Sequence, residues 1–262
     1  MNIEQPSVIF IIPYRDRESE KAYFEKYFLE RVSNQKGMEN AKYFFIHQKD
    51  LKPFNRGAIK NIGFLICSKI YSNWKDITFV FHDLDHYPKK HISFPYTTEV
   101  GIVKHYFGYK HTLGGVVVIK GSDYIKTKGF PMFWGWGYED NVFKKRVVDA
   151  GIKIDRSLFI DFLDIQLVKD SIEMIDKERV IRDISKDDIV RFFKKNYDDI
   201  NSIYNLSYKI NGNMVDVSNF TTNTLPGKLY EYDTRSGEKN LMNYIKGKNL
   251  VLRDRKWGLL YD

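Results

Sequence analysis

Asp83-Leu84-Asp85 stands directly after an apolar run, Ile77 to His82 (ITFVFH), that reads as a buried strand. Carboxylates at i and i+2 beyond a strand end can share one site, one meeting a divalent cation and the other a sugar or ribose hydroxyl. Oxygen donors favour Mn2+ or Mg2+. The same triplet also fits an ordinary polar turn. A second segment, Trp134-Gly135-Trp136-Gly137-Tyr138-Glu139-Asp140-Asn141, gathers two indoles, two glycines and two acids. Indole faces suit a pyranose ring, and glycines let the backbone approach a ligand. Glu139 and Asp140 open a helix whose positive end favours ionised carboxylates. An ionised aspartate beside a sugar platform is a general base for a hydroxyl; a packed aromatic turn with capping acids has the same composition. Arginines form a third group, in Pro13-Tyr14-Arg15-Asp16-Arg17 and Phe54-Asn55-Arg56, each just after a strand. Guanidinium forks match phosphate oxygens and Phe54 can stack on a base, although surface ion pairs would use the same arginines.

These groups need a scaffold that delivers several strand ends to one edge. Val8 to Tyr14 (VIFIIPY) is continuously apolar, the pattern of a parallel strand covered on both faces. A helical pattern over Glu18 to Val32 follows, then a strand at Lys42 to His47. Asn55 caps a helix to about Tyr71, and the Ile77 to His82 strand comes next. This strand-helix alternation predicts an α/β fold with a mostly parallel sheet. Further strands are expected at Gly114 to Lys120 and in a hairpin around Asn211-Gly212-Asn213. Further helices are expected at Tyr138 to Ala150 and after the capping box Ser185…Asp188. Residues 1–220 read as one domain and 221–262 as an irregular, basic extension.

The chain has 262 residues, 43% of them hydrophobic and 16% aromatic, enough for a substantial core. One cysteine, Cys67, excludes an internal disulfide and a cysteine-rich zinc site. The net charge of +8 suits phosphate-bearing ligands, and an AT-rich coding bias would produce it equally. A nucleic-acid-binding protein is the rival that charge and aromatics suggest, but no RNP-like motif or zinc finger accompanies them. There is no H-E-x-x-H, G-x-S-x-G, phosphate-loop lysine motif or G-x-G-x-x-G after a strand, which argues against zinc hydrolases, α/β-hydrolases, nucleotide kinases and dinucleotide oxidoreductases. No apolar run approaches the ~18–20 residues of a membrane span, and Met1 to Pro6 does not read as a signal peptide.

In order, I-I-P-Y-R-D-R (11–17), F-N-R-G (54–57), N-I-G-F (61–64), F-H-D-L-D (81–85), L-G-G-V (113–116) and G-F-P-M-F-W-G-W-G-Y-E-D (129–140) resemble the β-1,4-galactosyltransferase family. Those are inverting glycosyltransferases of the GT-A type. The resemblance covers about Val8 to Ile154, with a weaker echo at Asp199-Ile200-Asn201-Ser202-Ile203. It implies a GT-A-like domain with a Rossmann-like sheet and helices on both faces. It also implies a UDP-sugar donor, a glycan or glycoconjugate acceptor, no nucleic-acid partner and Mn2+ or Mg2+ as cofactor. By position, Pro13, Arg15, Arg17, Phe54, Arg56, Asp83, Gly115 and Trp136 fall to the donor, and Asp85 to the metal. Trp136, Glu139 and Asp140 fall to the acceptor, with Asp140 as catalytic base. The alternative within the same fold is an inactive sugar- or nucleotide-binding protein.

Departures from the family pattern set further expectations. The family completes its metal site with a histidine beyond the acidic helix, whereas the last histidine here is His111. Asp161, Asp164 or Gln166 is expected to replace it, or metal binding to be weak. Tyr138 replaces a glycine, and Asn141 an acid. Thr112 replaces a tyrosine, which leaves room for an N-acetylated donor sugar. The vertebrate enzymes carry a membrane anchor and disulfides, and this chain shows neither; the expectation is a cytoplasmic enzyme of viral or bacterial type, in the host cytoplasm if viral.

Overall fold

A computed structural model describes residues 4–175 and 181–234. The elements run β1 (Val8–Tyr14), α1 (Glu18–Tyr27), β2 (Lys42–Gln48), α2 (Arg56–Ile70), β3 (Thr78–His82), β4 (His86–Pro88), β5 (Ile102–Gly108) and β6 (Val116–Lys120). Then come α3 (Gly121–Lys126), α4 (Glu139–Asp149), β7 (Lys153–Asp155), β8 (Ile160–Asp161), α5 (Ile165–Ser171), β9 (Ile172–Met174), β10 (Ile181–Ser185), α6 (Lys186–Phe193), β11 (Tyr204–Asn211), β12 (Met214–Thr221) and β13 (Leu229–Asp233). The central sheet has the order β11-β12-β2-β1-β3-β6-β5-β7, with β8 added beside β5. Its β12, β2, β1 and β3 run parallel, while β6 lies antiparallel between β3 and β5. Among the described residues, no helix is long and apolar enough to cross a membrane.

The continuous apolar run of β1 has the cause read from its sequence. Ile9 and Ile11 face one cluster with Ile59, Ile62 and Ile66 of α2, while Val8, Phe10 and Ile12 face the other with Phe24 and Phe28. Both faces of the strand are therefore out of water, and alternation has no place in it. Asn55 caps α2 by accepting from the Ala58 amide at 2.9 Å, and Ser185 caps α6 by accepting from Asp188 at 3.2 Å. α1 stops at Tyr27, five residues before the expected end, and passes into a π-helical turn over Phe28–Val32.

Two local approaches fix the sheet edge. Gly57, in the first turn of α2, lies so close to the segment before Trp134 that an added Cβ would stand 1.9 Å from the Pro131 carbonyl oxygen. His105 of β5 bonds the Gly114 carbonyl through Nε2 at 3.0 Å and accepts from Arg156 Nε at Nδ1 at 3.1 Å. Its two nitrogens are thereby used in the neutral tautomer. Burial first, then the Arg156 charge, draws its pKa from 6.5 down to about 3.

The expected basic extension, 221–262, begins inside β12 and includes β13. β13 pairs antiparallel with β10 from Ile181↔Asp233 to Ser185↔Leu229, so its first part is regular rather than irregular. Residues 235–262 lie outside the described residues. That pairing links segments almost fifty positions apart, which local patterning does not reveal.

Two outcomes follow. Gly57→Ala lowers unfolding stability in urea by about 1–3 kcal/mol, the usual result of overpacking, despite the roughly 1 kcal/mol gain in helix propensity; equal or greater stability would count against the close α2 contact. His105, neutral when folded and protonatable when unfolded, makes the fold lose stability as pH falls below 6.5 toward about 3. The loss is up to about 1.4 kcal/mol per pH unit. His105→Gln flattens that part of the stability curve; an unchanged slope would refute the assignment.

Candidate active site

The C-terminal ends of parallel strands in an open α/β sheet form a ligand crevice because each chain must leave the sheet there in a loop. Here β1 ends in the Arg15–Arg17 loop, β2 leads through Phe54 into α2, and β3 runs into Asp83-Leu84-Asp85. One pocket joins these three to Trp134, Gly135, Trp136 and Glu139, and it is closed on another side by Arg182, Asp183 and Leu229. The expected Pro13, Arg15, Arg17, Phe54, Arg56, Asp83, Asp85, Trp136 and Glu139 all line it. The β10–β13 ribbon that supplies Arg182, Asp183 and Leu229 was not legible as part of the site.

Charge pairing organises the pocket. Arg56 donates to Asp83 through Nη2 and lies 3.6 Å from Glu139 through Nη1, joining the end of β3 to the start of α4. Arg17 lies 3.5 Å from Asp85. Burial works against ionisation of Asp85, but the His86 hydrogen bond, then His86, Arg17 and Arg56, hold its carboxyl far below the usual carboxylate range. Glu139 is pushed the other way, by burial and by its neighbour Asp140, with Arg56 and Lys60 opposing. Arg15, on the pocket, is also anchored to its neighbouring loop. Its guanidinium donates to the carbonyls of Gln48, Asp50 and Lys52 at 2.7–2.9 Å and sits 5.6 Å from the Phe54 ring centre. It fixes the loop that presents Phe54.

The residues proposed as a third metal ligand are not beside Asp85. Asp161 accepts from the Leu163 amide, Asp164 caps α5 by accepting from Leu167, and exposed Gln166 donates to Asp170; none of them lines the pocket. Short polar side chains at such positions satisfy their own loop amides. His86 takes the place instead. Asp83, Asp85 and His86 each bring a potential ligand atom within 4.8 Å of the others, and Asp85 Oδ1 accepts from His86 Nδ1 at 2.7 Å. Asp83 Oδ1 and His86 Nε2 are buried without a hydrogen-bond partner. Buried polar atoms without partners are rare and call for a missing one, and mixed carboxylate–imidazole donors suit Mn2+ and other divalent ions. The site therefore fits a divalent cation. The sequence signal for His86 is its adjacency to Asp85.

The two tryptophans separate. Trp134 is 2% exposed, stacks on Phe220 at 5.5 Å, and donates Nε1–H to the Thr224 carbonyl at 2.9 Å, so it is part of the core. Trp136 remains on the pocket, its amide held by the Asp183 carbonyl at 2.7 Å. Tyr138, where the family has glycine, adopts φ +67°. A left-handed tyrosine is disfavoured by roughly 1–2 kcal/mol, and its stack on Phe192 at 4.2 Å offsets that. Asp140 stands behind Glu139 rather than on the pocket wall, with its side chain 18% exposed. Gly115 adopts φ +70°, and its carbonyl accepts from the Asp83 amide at 3.1 Å. It shapes the D-x-D turn from behind and does not line the pocket. Thr112 is buried, its hydroxyl turned to the Tyr109 carbonyl, and likewise lines no part of the pocket.

Comparison with known proteins bears on the family and the fold. The family model for the N-terminal region of glycosyl transferase group 7 matches residues 3–96, and that for the N-terminal domain of galactosyltransferase matches residues 89–169. Human beta-1,4-galactosyltransferase 4 is 31% identical over 166 residues, which is 58% of this chain and 45% of that protein. Mouse beta-1,4-galactosyltransferase 4 is 32% identical over 161 residues, 57% of this chain and 44% of that one. The chain thus spans less than half the length of these relatives. The catalytic domain of Drosophila beta1,4-galactosyltransferase 7, solved with xylobiose, aligns with a TM-score of 0.62 at 21% identity, covering 84% of this chain and 95% of that one. A mutant of the same enzyme with manganese, UDP-Gal and xylobiose aligns with a TM-score of 0.58. With the GT-A-like sheet and the ordered motifs around one pocket, these matches establish that the chain belongs to the β-1,4-galactosyltransferase family.

Proposed function

We propose that this chain is an inverting glycosyltransferase that moves a hexose or N-acetylhexosamine from a UDP-sugar to a hydroxyl of an acceptor sugar. The observation that carries the reading is the pocket in which Arg56 ties the Asp83-Leu84-Asp85 turn to the Trp136–Glu139 segment. The Drosophila neighbour solved with manganese, UDP-Gal and xylobiose supports the same classes of donor, metal and acceptor.

In this reading Phe54 stacks on the uracil, with Arg15 holding its loop, and Pro13 packs beside it. Arg17 and Arg56 face the diphosphate, and Asp83 meets the donor. Asp83, Asp85 and His86 would hold Mn2+ or Mg2+, which when bound supplies positive charge to the diphosphate as it leaves. Trp136 and Glu139 hold the acceptor ring. Glu139, its pKa raised by burial, serves as a hydrogen-bonding group. Asp140 lies next to it in the first turn of α4, where the helix dipole favours the carboxylate. It takes the proton of the acceptor hydroxyl as that oxygen bonds to the anomeric carbon from the face opposite the diphosphate. The anomeric C–O bond breaks, the electron pair leaves with UDP, and the configuration inverts. Arg17 and Arg56 are fixed by Asp85, Asp83 and Glu139 before the diphosphate arrives, so little reorganisation is needed.

A UDP-release screen over UDP-hexoses and UDP-N-acetylhexosamines with sugar acceptors should show acceptor-dependent turnover, raised by Mn2+ and suppressed by EDTA. Calorimetry should show UDP binding tightened by Mn2+ in the parent. His86→Ala and Asp85→Ala should remove at least the roughly 10- to 100-fold that supporting partners of a metal site contribute. Equal UDP affinity in all variants, with and without metal, would sink the cation site, and no turnover with any donor would favour an inactive binding protein. Asp140→Asn keeps the shape but removes the base, and should lower kcat by about 10²–10⁴-fold with donor affinity intact. Full activity would move the base to Glu139.

A further inference from the structure

Lys60 lies inside α2, one turn beyond Arg56, with its side chain only 2% exposed. Its ammonium stands 4.4 Å from the Phe130 ring centre and 3.2 Å from Asp140 Oδ1. The transfer reaction described above gives it no task. A lysine buried to this degree requires a partner, and the apolar Phe130 leaves Asp140 as the anion it touches. The opposite side of that carboxylate is equally confined: a Cβ at Gly114 would lie 2.1 Å from Asp140 Oδ2. The Asp140 carbonyl also accepts from the Leu113 amide at 3.1 Å. The aspartate is therefore clamped between α2 and the loop before β6.

We propose that Lys60 is the positioning residue of the catalytic base, holding Asp140 Oδ1 so that the carboxylate is presented to the acceptor hydroxyl in one orientation. The inference rests on the reading of Asp140 as the base. The charged and titratable groups around Asp140 are Arg56 and Lys60 from α2, Glu139 beside it on α4, and His105 from β5. Arg56 is engaged by Asp83 and Glu139, and His105 is neutral above about pH 3. Lys60 is thus the cation in hydrogen-bond contact. Burial draws its own pKa down, and the neighbouring Asp140 opposes the fall.

Lys60→Met keeps an unbranched apolar stem as far as Cε and removes the ammonium. It should lower kcat by about 10- to 100-fold, the scale of a misplaced catalytic group, with donor KM unchanged. The acid limb of the kcat–pH profile should move up by about one to two pH units. Lys60→Gln, which restores a hydrogen-bond donor without charge, should recover part of kcat but keep the displaced limb. In an Asp140→Asn background, Lys60→Met should cause no further loss, since both changes act on one group. Thermal melting identifies folded variants, and the glutamine variant carries the test if the methionine one does not fold. A folded Lys60 variant with normal kcat and an unmoved limb, beside a crippled Asp140→Asn, overturns this inference alone. An equal loss in the Asp140→Asn background overturns it too. Full activity in Asp140→Asn overturns the base assignment and this inference together.

Discussion

Four carboxylates, Asp83, Asp85, Glu139 and Asp140, converge at one sheet edge, and three cations, Arg17, Arg56 and Lys60, hold them there. In a partly desolvated pocket such charges persist only as a compensated set. Arg56 is the member on which the others depend, because it joins the turn after β3 to the first turn of α4. With one more anion than cation, the set leaves negative charge for a divalent ion to offset. Burial and the neighbouring Asp140 raise the pKa of Glu139.

The backbone around this set is arranged to permit close approach. Gly114 lets Asp140 sit against the loop before β6, and Gly57 lets α2 rest on Pro131, bringing Arg56 and Lys60 to the edge. At Gly135 a Cβ would stand 2.4 Å from the Ser185 amide nitrogen, so the β10–β13 ribbon lies directly on the Trp-Gly-Trp-Gly turn. The ribbon contributes Arg182, Asp183 and Leu229 to the pocket although it lies beyond the residues that the family models match. Its contact with the Trp136 amide ties that side of the pocket to a segment outside the residues the family models match.

Substitutions at family positions are matched by local partners. Tyr138 adopts the left-handed backbone that a glycine would take freely, supported by Phe192 from α6. The missing downstream histidine is matched by His86, next to Asp85 and buried with one nitrogen unpartnered. Tyr138 finds its partner on another element, which only the folded molecule brings together, whereas His86 finds Asp85 beside it in the sequence.

The sequence by itself determined what depends on near neighbours. The unbroken apolar run of Val8–Tyr14, the Asn55 and Ser185 caps, and the Asp83-Leu84-Asp85 turn are physical consequences of a few adjacent residues, and they were legible as such. So was the gathering of the arginines and the D-x-D on one edge, since parallel strands with helical crossovers must end on the same side; Trp136–Glu139 reaches that edge through the loop before α4. Tertiary structure decided what depends on which distant side chains share a low-dielectric space. It turned Trp134 into core while leaving Trp136 on the pocket, engaged Arg15 with the loop carbonyls, and kept Asp161, Asp164 and Gln166 as surface hydrogen-bonding groups. It also brought Lys60 to Asp140 across eighty positions of chain. A residue's type and spacing state the chemistry it can do, but register and packing set its partner, and in a buried pocket the partner sets its charge.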